Sequence, residues 1–116
     1  MPRSEGAFDE GGIREKLKAL PGWEYQDGAI RRTYQTDGWR GSMLVANAIA
    51  FMCEAADHHA DLLVTWPSVS VALSTHSAGG ITAMDFEVAE RIERGITWKP
   101  PAGSSLAGPG KPFVKS

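Results

Sequence analysis

The chain has 116 residues, of which 42% are hydrophobic, and this length suits one compact domain with a modest core rather than two domains. Its formal net charge is -2, with acidic and basic residues interspersed, which argues against nucleic acid or an anionic membrane surface as a direct partner. The single cysteine, Cys53, excludes an intrachain disulfide and lies in an apolar run, which is typical of a protein from the reducing cytosol.

The sequence also argues against export and membrane insertion. The segment "MPRSEGAFDEGG" at the start has no apolar signal core. The later apolar run, residues 43–56, is too short and too internal to cross a bilayer. We therefore expect a soluble, cytoplasmic protein.

The first third of the chain predicts a short helix followed by a β-hairpin. Ile13, Leu17 and Leu20 recur at helical spacing until Pro21-Gly22 interrupts the pattern. Asp27-Gly28 then separates two runs that carry aromatic and β-branched residues, which is a strong signal for a two-residue hairpin turn.

A long helix is predicted from Trp39 to Asp57, where the chain is rich in alanine and lacks proline. Its apolar residues cover so much of the girth that we expect two buried faces, one on a sheet and one on a second subunit. The residues on which this expectation depends are Met43, Ala46, Ala50 and Cys53 at one helical spacing, with Leu44, Ile49 and Phe51 beside them.

Two further strands and a last helix are predicted after the long helix. The segments "LLVTW" and "SVSVALSTH" read as strands, and the alternation in the second places His76 on its more polar face. After a tight connection the last helix begins at Thr82, with Phe86, Ala89 and Ile92 facing inward.

The elements follow the order α-β-β-α-β-β-α. Hairpins broken by helices cannot supply the long crossovers of an all-parallel sheet, so we predict an α+β fold, with a mostly antiparallel sheet and helices on one face. This domain covers residues 1–95. Residues 96–116, rich in Pro, Gly and Ser, are expected to form an extended or flexible tail.

All three histidines fall within one short stretch. His58 and His59 directly follow the long helix, Glu54 lies one turn before His58, and His76 ends a strand that can run alongside. Because an imidazole titrates near neutral pH, convergence of the three would favour acid/base catalysis.

Two other interpretations of the histidines stay open. The pair can simply stabilise the C-terminus of the helix, where the dipole favours positive charge. It can also bind a metal, although the chain has neither a zinc-protease helix motif nor a paired-cysteine knuckle. The candidate metal ligands are Glu54, Asp57, His58, His59 and Asp61.

Asp85 and two tryptophans are further candidates. Thr82 and Asp85 have the spacing of a capping box, which on local grounds favours a structural role for the carboxylate. Trp23 and Trp66 are most simply explained as core or rim aromatics, although a flat aromatic ligand would stack on either.

The combination of Glu54, His58-His59, Trp66, His76 and Asp85 closely resembles the signature of the pterin-4a-carbinolamine dehydratase family. The surrounding segments "LPGW", "FMCEAADHH" and "STHSAGGITAMDFEVAERI" fit as well. The resemblance covers residues 13–94, and the joint spacing is far more specific than any single element.

The resemblance implies a four-stranded antiparallel sheet with helices on one side, and dimers that pair into tetramers. Members of the family dehydrate 4a-hydroxytetrahydropterin to the quinonoid dihydropterin, which recycles the cofactor that aromatic amino acid hydroxylases consume. The resemblance also implies that no metal and no cofactor are needed, since the pterin itself is the substrate.

The resemblance further implies roles for the candidate residues. His58 and His76 would flank the carbinolamine carbon as acid/base groups, with His59 orienting or binding the pterin. Glu54 and Asp85 would hold imidazoles or ring nitrogens in place. The edge of the ring would be lined by Trp23 or Trp66.

This sequence departs from the family pattern at three places. Ala60 follows the histidine pair where proline is usual, Trp66-Pro67 stands where tyrosine is common, and the tail from Ile96 runs past the usual end. Some relatives of the fold have lost the activity and serve as assembly factors for RuBisCO, one of them encoded with carboxysomes. The animal enzyme doubles as a dimerisation cofactor for a transcription factor. A binding protein of either kind is the alternative function.

Overall fold

A computed structural model describes residues 6–116 of the protein, in which three helices and four strands follow the predicted order. The elements are α1 (Glu10–Leu17), β1 (Glu24–Gln26), β2 (Ala29–Gln35), α2 (Trp39–Ala56), β3 (Asp61–Thr65), β4 (Ser68–Leu73) and α3 (Ala83–Ile96). The predicted α+β class is confirmed. Residues 1–5 of the predicted domain lie outside the described part of the chain.

The four strands form one antiparallel sheet in the order β1-β2-β4-β3. In the register of the two central strands, Ile30 lies opposite Leu73 and Tyr34 opposite Val69, and all four side chains are fully buried. These residues share one face of the sheet because side chains alternate along a strand. The core on this face also receives Ile13 from α1, Ile49 from α2 and Ile92 from α3. The helices therefore cover one face, as predicted.

Among residues 6–116 of a single chain, one face of α2 is buried and the other is exposed. Val45, Ile49 and Cys53 pack in the core, whereas Leu44 and Phe51, which were expected to broaden the buried stripe, are 43% and 74% exposed. The buried stripe is displaced from the predicted one because apolar residues occupy almost every side of this helix, so its periodicity does not single out one face. Within residues 6–116, no helix has both the length and the apolar character needed to cross a bilayer.

The last predicted strand is shorter than its sequence pattern indicates. β4 ends at Leu73, and His76 begins a single 3₁₀ turn, His76–Ala78, that closes on Gly79 in the left-handed conformation (φ 70°). Thr75 and Gly80 on either side of the turn pair as an isolated antiparallel bridge. His76 therefore lies exposed on a tight loop rather than on a face of the sheet.

The end of the chain lies along β2. The backbone N–H groups of Gln35 and Asp37 donate to the carbonyls of Ser116 (2.9 Å) and Phe113 (3.1 Å), and that of Lys115 donates to Gln35 (2.7 Å). β1 pairs with residues 29–31 at the start of β2, and the final residues pair beside Gln35, where β2 ends, and the two residues after it. The division between a domain to residue 95 and a tail stays a prediction, and Ile96 still belongs to α3.

Candidate active site

His58 is held against a buried carboxylate from α3. α2 ends at Ala56, and Asp57 adopts the left-handed conformation (φ 53°), which turns the chain away from the helix axis. His58 follows this turn, and its Nε2 lies 2.6 Å from Oδ1 of Asp85. The His58 side chain is 13% exposed and that of Asp85 is 0% exposed. The pair therefore lies at the boundary between core and solvent.

Asp85 also caps its own helix. Its Oδ2 accepts hydrogen bonds from the Thr75 hydroxyl (2.7 Å) and the Thr82 backbone N–H (2.9 Å). The Thr82 hydroxyl accepts from the N–H of Met84 (3.2 Å), which completes the predicted capping box. One carboxylate thus closes the N-terminus of α3 with one oxygen and holds His58 with the other.

This arrangement fixes the tautomer of the neutral His58 ring. An ionised carboxylate can only accept hydrogen bonds, and both donors to Oδ2 come from groups that carry a proton. With Asp85 ionised, Nε2 of His58 is the donor to Oδ1. We assign the remaining nitrogen, Nδ1, as the proton acceptor of the neutral ring.

The other two histidines lie near this pair but are exposed. Nε2 of His59 lies 2.9 Å from Oε1 of Glu54, with side-chain exposures of 56% and 82%. His76 directly follows Thr75, the residue that donates to Asp85. The chain thus gathers His58, Asp85 and the loop that carries His76 at one end of α2, with His59 and Glu54 beside them on the surface.

The two tryptophans lie elsewhere within one chain. Trp23 is 5% exposed, and its Nε1 donates to Oε1 of Glu93 (2.9 Å), which lies more than two turns along α3 from Asp85, or about 12 Å. Trp66 is 66% exposed, and its carbonyl accepts from the hydroxyl of Ser42 in the first turn of α2 (3.0 Å), at the opposite end from His58. Their predicted contact with substrate stays a prediction.

Glu93 is the centre of a second polar cluster, which the sequence reasoning missed. Its Oε1 accepts from the Tyr34 hydroxyl (2.7 Å) and from Nε of Arg32 (3.1 Å), besides Trp23. Burial acts to raise the pKa of Glu93, but the hydrogen bonds from Arg32, Tyr34 and Trp23 outweigh it, so the pKa is lowered from its ordinary value. Burial, and then the bond to Glu93, raise the pKa of Tyr34. The sequence did contain a signal for this cluster. Arg32 alternates with Ile30 and Tyr34, whose side chains face the core, and an arginine on that face needs an acceptor there.

A cavity of about 250 Å³ adjoins His58 between α2 and α3. Its lining combines apolar side chains with two charged ones, which is the usual composition of a small-molecule site. The lining residues are Met52, Ala56, His58, Met84, Glu87, Val88 and Arg91. In the described part of the chain, no three side chains of His, Cys, Asp or Glu come together as a metal ion would require.

Comparison with known proteins agrees with this geometry. The family model for pterin 4 alpha carbinolamine dehydratase matches residues 7–95. A Roseiflexus castenholzii protein named "Putative pterin-4-alpha-carbinolamine dehydratase" is 41% identical over 81 residues, which is 70% of this chain and 87% of that protein. A protein of the same name from Aquifex aeolicus is 41% identical over 81 residues, covering 70% and 82% of the two chains.

A solved structure is similar as well. The crystal structure of a "transcriptional coactivator/pterin dehydratase" from Brucella melitensis has a TM-score of 0.73 and 29% sequence identity, and the match covers 79% of this chain and 99% of that one. The family model and the relatives indicate the same family, and the fold and the contact between His58 and Asp85 fit it. The chain belongs to the pterin 4 alpha carbinolamine dehydratase family.

Proposed function

We propose that this protein dehydrates 4a-hydroxytetrahydropterins to quinonoid dihydropterins in the cytoplasm, by histidine acid/base catalysis in the recycling of a tetrahydropterin cofactor. The observation that carries the proposal is the 2.6 Å contact between Nε2 of His58 and Asp85. With Nε2 bound to Asp85, Nδ1 is the nitrogen left to accept a proton, and His58 lines a cavity, so the residue is suited to act as a general base.

The reaction needs one base and one acid. Nδ1 of His58 removes the proton from N5, and the electron pair of that N–H bond forms the double bond between N5 and C4a. As the C4a–O bond breaks, a protonated His76 gives its proton to the departing hydroxyl, which leaves as water. His76 is suited to this role because it lies on an exposed loop where it exchanges protons with solvent.

The remaining predicted residues have supporting roles in this proposal. His59 orients or binds the pterin, and Glu54 holds its ring through the surface hydrogen bond. Trp23 and Trp66 were predicted to line the pterin, and within one chain both lie away from His58. Trp66 is 66% exposed, so it is the one available to contact a ligand or a second copy of the chain. Neither a metal nor a cofactor has a step in the mechanism.

Stopped-flow dehydration of freshly made 4a-hydroxytetrahydropterin, followed by ultraviolet absorbance with a chelator present, tests the proposal. We expect strong acceleration by the wild type, and a loss of at least ~10²-fold in kcat for either His58→Ala or His76→Ala. Glu10→Gln, on exposed α1, is a control that leaves turnover unchanged. Wild-type turnover in one histidine variant would remove that histidine from the mechanism.

A second candidate function is protein binding without catalysis, as an assembly factor of the RuBisCO type or a dimerisation cofactor. The observation that favours it is the outer face of α2, where Leu44 and Phe51, two turns apart, are 43% and 74% exposed. An apolar face of this kind typically packs against another chain, so we also propose a homodimer or homotetramer. If well-folded protein dehydrates the pterin no faster than buffer alone does, this second function is favoured.

A further inference from the structure

Thr75 links the loop that carries His76 to the carboxylate that holds His58. Its backbone N–H donates to the carbonyl of Gly80 (2.8 Å), which closes the base of the loop. Its side chain is directed the other way, and the hydroxyl donates to Oδ2 of Asp85 (2.7 Å). Thr75 is only 3% exposed.

The hydroxyl has a specific effect on Asp85. A carboxylate with 0% exposure needs buried hydrogen-bond donors in place of water, and Asp85 has three, from Thr75, Thr82 and His58. Two of them bind Oδ2, and they hold the carboxylate with Oδ1 at His58. Without the Thr75 hydroxyl, Oδ2 keeps one donor, and the orientation of the carboxylate is held less firmly.

We propose that Thr75 is a positioning residue for the dehydration: it orients Asp85, which in turn keeps His58 in the tautomer with Nδ1 free for the substrate. The effect on turnover rests on the proposed function, whereas the effect on the His58 tautomer does not. Metal-bound histidines are oriented in the same way by a hydrogen-bonded group behind the ring. Removal of that group typically lowers metal affinity or activity by about 10–100-fold.

A purely structural role is the competing explanation, since the Thr75 hydroxyl also lies 2.9 Å from that of Thr82. Thr36 provides a matched control. It is also 3% exposed, and its hydroxyl lies 2.7 Å from that of Ser42 in the first turn of α2, at the end away from His58. Thr75→Val and Thr36→Val each remove one buried hydroxyl with nearly unchanged volume.

The experiment measures kcat and KM for wild type, Thr75→Val, Thr75→Ser and Thr36→Val, and records the ¹⁵N signals of the histidine rings by NMR. We expect Thr75→Val to lower kcat about tenfold with KM changed less than about twofold, because orientation of a catalytic base affects the transition state more than binding. The ¹⁵N signals of His58 should change from one tautomer to a mixture. Thr75→Ser, which keeps the hydroxyl, should restore both, and Thr36→Val should alter neither.

Failure of the positioning role and failure of the proposed function give different results. If the wild type dehydrates pterin while Thr75→Val retains the wild-type kcat and His58 signals, the positioning role is overturned and the function stands. If the wild type is inactive but the His58 tautomer still depends on Thr75, the function fails and the positioning role stands. Should Thr75→Val not fold, Thr75→Ala and Thr75→Ser differ by the hydroxyl and repeat the comparison.

Discussion

Individual side chains in this protein have both structural and chemical roles. Asp85 caps α3 and holds His58 at once, so the two explanations that the sequence offered for it are both part of the answer. Ala60, at the position where proline is usual in the family, packs against the core, and β3 begins at the next residue. Asp61 pairs there with Ala72 of β4. Strand pairing therefore fixes the chain after the histidine pair where a proline ring would have fixed one φ angle.

Residue-level chemistry was the hardest part to predict from the sequence. Histidine and carboxylate types at suitable spacings identified His58 and Asp85 as candidates, but their contact spans 27 positions and depends on how α2 and α3 pack. Trp23 was placed at the edge of the pterin, as an alternative to Trp66, by the resemblance to the family, and that contact stays a prediction. Nothing local indicates that its N–H is directed toward Glu93, since that partner lies 70 positions away.

The Glu93 cluster predicts how stability depends on pH. A folded-state pKa below the ordinary value of 4.5 means that ionised Glu93 stabilises the fold above about pH 4.5, and that this contribution is lost as the pH falls through the lower folded value. We expect Glu93→Gln to lower the free energy of unfolding by about 1–3 kcal/mol at pH 7, because it weakens partly buried hydrogen bonds from Trp23, Arg32 and Tyr34. The difference from wild type should shrink at pH 3.5.

Urea unfolding at the two pH values measures this effect. Glu90→Gln, in the same helix, is the matched control, because Glu90 pairs with Arg94 on the surface, with side-chain exposures of 57% and 69%. Its effect should stay below about 0.5 kcal/mol at both pH values. An equal loss for Glu93→Gln at pH 7 and pH 3.5 would show that the charge of Glu93 does not stabilise the fold.

At the scale of elements, the sequence predicted the number, type and order of helices and strands, because hydrophobic periodicity and turn residues are local properties. Asp27-Gly28 forms the hairpin turn with positive φ at both residues, as its composition indicates. Two element details were missed. The buried face of α2 is set by the sheet beneath it, and the loop that carries His76 is set by the bridge between Thr75 and Gly80.

Two helix glycines are predicted to respond to alanine with opposite signs. A Cβ at Gly41 in α2 would lie 2.9 Å from the carbonyl oxygen of Phe113 and 2.6 Å from Oδ1 of Asp37. A Cβ at Gly95 in α3 would meet the flexible end of Met52, at 3.2 Å from Cε. Alanine favours a helix by up to about 1 kcal/mol over glycine, so Gly95→Ala should stabilise the protein by about 0.5–1 kcal/mol.

Gly41→Ala should instead destabilise the protein by about 1–2 kcal/mol, because the new methyl group displaces the backbone of the tail. Thermal unfolding of both variants tests this. In a chain that ends at Gly110, Phe113 is absent and most of the penalty for Gly41→Ala should disappear. The same penalty in the full and shortened chains would assign it to Asp37 alone.

In the whole molecule, the helices cover one face of the sheet and the other face is polar. The two edges of the sheet differ in what covers them. β3 forms one edge, and within residues 6–116 it pairs with β4 alone. At the other edge β1 covers the start of β2, and residues 113–116 pair at its end, beside Gln35 and the two residues that follow. Composition alone described the tail as Pro-, Gly- and Ser-rich, and it could not indicate that the last four residues find hydrogen-bond partners on a distant strand. Long-range pairing of this kind is decided by the tertiary fold.

Removal of the last six residues should therefore weaken the fold without changing the active site. A chain that ends at Gly110 loses two backbone hydrogen bonds to Gln35 of β2, one to Asp37 just beyond it, and the core contact of Val114. It also exposes unpaired groups on Gln35 and Asp37. We expect a loss of roughly 2 kcal/mol, seen as a Tm lower by roughly 5–10 °C. kcat for dehydration should not change, because the tail contacts the start of α2 whereas His58 follows its end.

Leu106→Ser is the control for this truncation, because Leu106 belongs to the tail but is 60% exposed, and its replacement should leave Tm within about 2 °C. An unchanged Tm in the shortened chain would show that the pairing with β2 adds no stability. A lower kcat at unchanged secondary structure would have a different meaning. It would indicate that the tail reaches an active site in a second copy of the chain, since within one copy it lies at the far end of α2.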